Sequence, residues 1–93
     1  MATITKTQLT KKLGNLVKVE QLQNKNQFRI KYKKGEVFQS YETLIGAKIN
    51  GTLYLSNAHT HSKTTSKHTT LWCGLDRKER EKGLQNNEIT LII

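Results

Sequence analysis

Asn50-Gly51 is the feature that most restricts how this chain can fold. It stands between two short apolar runs, TLIGAKI and TLYLS. A two-residue type I′ turn needs positive φ at both central positions, and Asn-Gly tolerates this better than almost any other pair. A loop of that length sets the register: Ile49 opposite Thr52, Ala47 opposite Tyr54 and Ile45 opposite Ser56. Leu44, Leu53 and Leu55 then gather on the other face. With apolar side chains on both faces, the hairpin is expected to be central and covered on each side.

The flanking segments read as short elements. TKTQLTKKL, residues 5–13, predicts a helix with Leu9 and Leu13 one turn apart and Gly14 as its stop. Residues 16–23 predict a strand with Val17 and Val19 on one face, and NKNQ at 24–27 a turn. Residues 27–33 alternate clearly: Phe28, Ile30 and Tyr32 one way, Gln27, Arg29, Lys31 and Lys33 the other. EVFQSY, residues 36–41, is a third strand, and 57–61 a loop. Residues 62–73 predict a helix opened by Ser62 or Thr64, closed by Gly74, and held down by Leu71 and Trp72. LDRKEREKG, residues 75–83, suits a solvated helix with Asp76–Arg80 and Lys78–Glu81 pairs. The closing EITLII is an apolar strand that must pair within the sheet or with another chain, which leaves a homodimer through the C-terminal strand open. The expected fold is α+β, one domain over residues 1–93. It has a small antiparallel sheet of about four to five strands around the Asn50-Gly51 hairpin, with two or three short helices.

Charge is the second constraint. The chain carries +9 at neutral pH. Residues 1–34 hold nine lysines and arginines against the single acid Glu20. Such asymmetry predicts a surface that meets a polyanion, and nucleic acid is the commonest one. Arg29, Lys31 and Lys33 would project from one strand face about 7 Å apart, near the spacing of successive phosphates along a single strand. Lys11, Lys12 and Lys18 would extend the patch. No aromatic interleaves the basic face, so contacts to phosphate rather than stacking on bases are expected, without sequence specificity.

Other chemistries find little support. His59 and His61 lie on one side of an extended segment and are weak zinc candidates. His68 and Cys73 are five residues apart on a helix, well out of phase as a ligand pair. Neither spacing matches a structural zinc site, and no cofactor is expected. His59-Thr60-His61 lacks the apolar central residue of nicking endonucleases, and Tyr32, Tyr41 and Tyr54 all fall in strands. Catalysis is therefore not expected. The lone Cys73 fits a reducing cytoplasm. No run is long enough to span a bilayer, and the N-terminal stretch lacks the apolar core of a signal peptide.

Residues 40–72 carry a more particular pattern: Tyr41, Thr43, Ala47 and Tyr54 in the hairpin region, then Ser62, Thr64, Thr65, Ser66, Lys67 and His68, then Trp72. This resembles a small uncharacterised domain family of bacteriophages and prophages, although His61 stands where that pattern has an aromatic. The resemblance implies a phage accessory protein with an α+β fold and supplies no activity. Independently, hydroxyls at a helix start flanked by Lys63 and Lys67 could receive a phosphate. The expected function is a non-enzymatic protein binding DNA or RNA phosphates. The alternatives are an accessory protein that inhibits or redirects a host complex, such as a defence nuclease of the CRISPR effector kind, and a minor virion component.

Overall fold

The computed structural model describes residues 1–22 and 26–93. The strands are β1 (Thr3–Ile4), β2 (Leu16–Gln21), β3 (Gln27–Tyr32), β4 (Gly35–Ser40), β5 (Thr43–Ile49), β6 (Thr52–Ser56) and β7 (Ile89–Ile92). The helices are α1 (Lys6–Leu13), α2 (Lys63–Cys73) and α3 (Arg77–Gln85), with a 3₁₀ turn at Asn57–Thr60. The strands form one sheet in the order β1-β7-β6-β5-β4-β3-β2. From β2 to β6 every neighbour is antiparallel, while β7 runs parallel to β6 and to β1.

The α+β class is as expected, but the sheet has seven strands and is mixed rather than four to five and antiparallel. Two local causes account for this. β1 is two residues long, too short for any periodicity to reveal it. β7 follows two helices, so the chain returns to the sheet by a crossover and arrives parallel to β6. β7 also lies between β6 and β1, so the C-terminal strand is not a sheet edge. The predicted turn at 24–27, and Gln23 in the predicted second strand, fall partly outside the described residues.

The hairpin has the expected turn: Asn50 and Gly51 take φ of 50° and 79°. Ile49 faces Thr52 and Ala47 faces Tyr54. Beyond Gly46 the expectation fails, because β4 and β5 slip register between Phe38 and Gln39 and Ile45 becomes the extra residue of a β-bulge. Ile45 therefore joins Leu55 on one face, and Leu44 packs on the other. Ser56 does not pair with Ile45; its hydroxyl donates to Leu44 O at 2.6 Å.

The sheet is covered on both faces. On one, Leu9 and Leu13 of α1 pack over Val37, Ala47, Ile49 and Tyr54. α1 ends at Gly14, as its sequence predicts, and begins with a reciprocal cap between Thr5 and Gln8. On the other face, Trp72 of α2 and Leu84 of α3 pack over Phe38, Ile45, Leu55 and Ile89. Trp72 stacks on Phe38 with ring centres 5.5 Å apart. Gly46 permits this approach: a Cβ there would lie 2.6 Å from Tyr54 O and 3.0 Å from the Trp72 ring. Trp72 anchors α2 as expected, but Leu71 points to solvent at 72% exposure. The buried stripe of α2 is instead Thr65, Thr69 and Trp72, a helical i, i+4, i+7 series. Among the described residues no helix is long and apolar enough to cross a membrane.

Candidate nucleic-acid interface

The register places Lys18 and Glu20 of β2, Arg29 and Lys31 of β3 and Glu36 of β4 on the sheet face that carries Phe38. Lys48 of β5 continues this row. The row alternates in sign and is largely self-paired. Glu20 sits 3.0 Å from Lys18 and 3.7 Å from Lys31, and Glu36 sits 3.7 Å from both Arg29 and Lys48. The hydrogen bond from Lys18, helped by the charges of Lys18, Lys31 and Arg29, holds the Glu20 carboxyl below its ordinary pKa. Lys48 also lies 4.7 Å from the Trp72 ring centre and donates to Trp72 O at 2.7 Å. Arg29 and Lys31 thus share a face as the alternation predicts, yet each has a carboxylate beside it.

Lys33 belongs to a different cluster. β3 ends at Tyr32, and the turn that follows is tied to the end of α1: Lys33 N–H donates to Asn15 O at 2.8 Å and Lys34 N–H to Leu13 O at 3.0 Å. Gly14 makes this junction at φ 78°, and a Cβ there would lie in ordinary contact with the Lys33 and Lys34 side chains, at 3.7 and 3.8 Å. Lys11 and Lys12 occupy the last turn of α1. All four lysines are exposed, and among the described residues none has a carboxylate within ion-pair distance. Part of their role is local, since cations at a helix C-terminus oppose the helix dipole. That role does not use Lys33 and Lys34, which lie on the neighbouring turn. The sequence shows all four residues but not that the end of α1 is joined to the turn carrying Lys33 and Lys34, which depends on the α1–β3 hydrogen bonds.

The start of α2 forms a second positive feature. Ser62 caps the helix, its hydroxyl accepting from Thr65 N–H at 3.0 Å. Thr60, Ser62, Lys63, Ser66 and Arg77 line a cleft of about 280 Å³. Thr64 and Lys67 are exposed outside it. Ser62, Lys63 and Ser66 are the predicted members, and Arg77, from α3, is one that sequence spacing does not suggest.

Beneath this cleft lies Arg80, fully buried. The expected surface pair with Asp76 does not form; Asp76 instead caps α3 by accepting from Glu79 N–H. Arg80 Nε donates to His59 Nδ1 at 3.0 Å. Its terminal nitrogens reach Thr70 Oγ1, Leu75 O, Ser66 Oγ and, at 3.4 Å, His59 O. Every acceptor is neutral. His59, expected on an exposed loop as a weak metal candidate with His61, is buried and committed to Arg80, while His61 is exposed. Among the described residues no three His, Cys, Asp or Glu side chains are grouped as metal ligands.

Burial, reinforced by the Arg80 charge, pushes the His59 pKa below its ordinary 6.5. Unfolded His59 takes up a proton near 6.5, whereas the folded residue resists until lower pH. Its contribution to stability is therefore complete above about pH 7 and declines as pH falls through 6.5 toward the folded pKa. Urea denaturation between pH 5 and 7.5 is expected to show this slope, and His59→Gln to flatten it. An unchanged slope in the variant would assign it to other groups.

The residues behind the phage-family resemblance partly converge. Tyr41, Thr43, Ser62 and Thr65 border one open cavity of about 390 Å³, together with His61 and Ser40. Tyr41 holds φ 55°, a left-handed conformation uncommon for an aromatic residue. His68 is partly buried on α2, two turns from the Ser62 cap. A model of a family of unknown function (DUF8033) matches residues 8–89. No curated protein and no solved structure matches the chain.

Proposed function

Because the chain belongs to this family of unknown function, we propose from its geometry that it is a non-enzymatic binding protein that contacts nucleic-acid phosphates. The observation that carries the reading is the corner where the last turn of α1, with Lys11 and Lys12, is tied by backbone hydrogen bonds to the β3–β4 turn, with Lys33 and Lys34. These four cations are exposed, held on hydrogen-bonded segments and free of carboxylate neighbours among the described residues. Lys18 and Lys31, on the sheet face opposite α1, retain a shared positive excess over Glu20. The cleft with Lys63 and Arg77 offers a further phosphate contact, with Lys67 beside it. Nothing in this corner reads base edges, so DNA and RNA are bound without sequence specificity. In this reading the protein is phage-encoded and acts in the host cytoplasm, where Cys73 stays reduced.

Binding to labelled single- and double-stranded DNA and RNA, followed by anisotropy across a salt series, tests this. Each phosphate contact is expected to contribute about −0.9 to the slope of log K against log salt on duplex DNA and about −0.7 on single strands. Absence of binding at low salt, or binding indifferent to salt, would end the reading. A pull-down from nuclease-treated host lysate addresses the rival role. A protein partner retained after nuclease would favour an accessory factor that inhibits or redirects a host complex.

A further inference from the structure

Among the described residues β2 is an edge strand, with β3 as its one neighbour in the sheet. β1 closes one side with only two residues, whereas β2 presents six at the other. Leu16, Val17 and Val19 on this strand are 58%, 64% and 55% exposed. The hydrogen-bonding direction of each residue follows from the ladder. Leu22 N–H donates to Gln27 O at 2.7 Å, and Glu20 and Lys18 stand opposite Arg29 and Lys31. Backbone groups alternate in direction along an antiparallel strand. Leu22, Glu20 and Lys18 therefore face β3, and Val19 turns its N–H and C=O outward.

We propose that this edge pairs with β2 of a second copy of the chain, antiparallel and centred on Val19. A two-fold axis there sets Val19 opposite Val19 of the second copy, and the two residues exchange both backbone hydrogen bonds. The same register sets Lys18 directly opposite Glu20 of the second copy, and Glu20 opposite its Lys18. Directly opposed side chains share a face, so two ion pairs form by symmetry. Charge complementarity thus selects a second copy over an unrelated strand: the stretch Lys18-Val19-Glu20 is complementary to itself when reversed. The neighbouring register, centred on Lys18, would oppose like charges. The β-bulge between Leu16 and Lys18 bends the strand and confines pairing to the residues after it. Leu16 and Val17 then border the junction as apolar contacts. The C-terminal strand, from which the sequence suggests a dimer, is enclosed by β6 and β1.

The inference does not rest on nucleic-acid binding, and its test excludes nucleic acid. Protein freed of nucleic acid by nuclease and a high-salt wash is examined by sedimentation equilibrium over a wide concentration range. The native chain is expected to associate to dimers. Lys18→Glu and Glu20→Lys should each weaken association at least tenfold, because both symmetric pairs become repulsive. An equimolar mixture of the two variants should recover it, since every opposed pair is then attractive. Val19→Pro removes the outward N–H at a position where an edge strand tolerates proline, and should leave monomers. Circular dichroism checks that it folds; the charge variants change only surface residues. A native chain that stays monomeric, or single variants that associate as well as the native chain, would overturn the proposal. So would a mixture that fails to recover association.

Discussion

Replacing Arg80 with methionine is expected to lower stability by more than about 1 kcal/mol, although nothing in the sequence marks Arg80 as structural. The guanidinium carries five N–H donors, and all five have an acceptor. Those acceptors come from the 3₁₀ turn, from α2 and from the α2–α3 link, so one side chain ties three segments together. Methionine fills similar volume and removes the buried charge, which recovers several kcal/mol of desolvation. It also leaves Leu75 O and His59 Nδ1 facing an apolar side chain, at about 1–3 kcal/mol each, and deprives Ser66 and Thr70 of their strongest donor. In a domain of this size each kcal/mol lost corresponds to a fall in Tm of roughly 4–8 °C. Arg80→Lys is expected to recover only part of it, because an ammonium has three donors at one point and cannot span the fork. Chemical and thermal denaturation measure both variants. A methionine variant within about 1 kcal/mol of the native chain would show that the network is incidental.

Arg80 also shows where sequence reasoning stopped. In LDRKEREKG the seven residues from Asp76 to Lys82 are all charged, and the local pattern matches a helix in water. The buried face of α3 is Arg80, Gly83 and Leu84. That i, i+3, i+4 series was readable once Gly83 and Leu84 were taken as the apolar side, but a buried arginine needs acceptors that arrive from residues 59–75 and cannot be inferred locally. The hairpin behaved differently because its information is local: Asn50-Gly51 fixes the turn, and the turn fixes the pairing as far as Gly46. The bulge at Ile45 escaped because it answers to β4, a different strand. The stop of α1 at Gly14 and the cap of α2 at Ser62 were legible for the same local reason. The basic candidates were all visible as residues. Their division into a self-paired row and an unpaired corner was not, since it depends on Glu20, Glu36 and the α1–β3 junction.

That division yields the strongest functional prediction. Changing Lys11, Lys12, Lys33 and Lys34 together to glutamine removes four of the nine surplus positive charges. All four side chains are exposed, so the fold should persist. If each contacts one phosphate, the salt slope on duplex DNA should shrink by about 3.6, at about 0.9 per contact. Extrapolated from 1 M salt, where this contribution vanishes, the same slope gives roughly four-thousandfold weaker binding at 0.1 M. Net charge alone would also weaken binding, and a matched comparison separates the two causes. Lys33 and Lys34 changed to glutamine should cost far more affinity than Lys78 and Lys82, which are exposed on α3 and remove the same charge. Arg29→Gln should have a smaller effect than either corner lysine, because Glu36 already opposes that charge. Equal losses from the corner and α3 pairs would mean that the protein attracts nucleic acid through its overall field, with no dedicated surface.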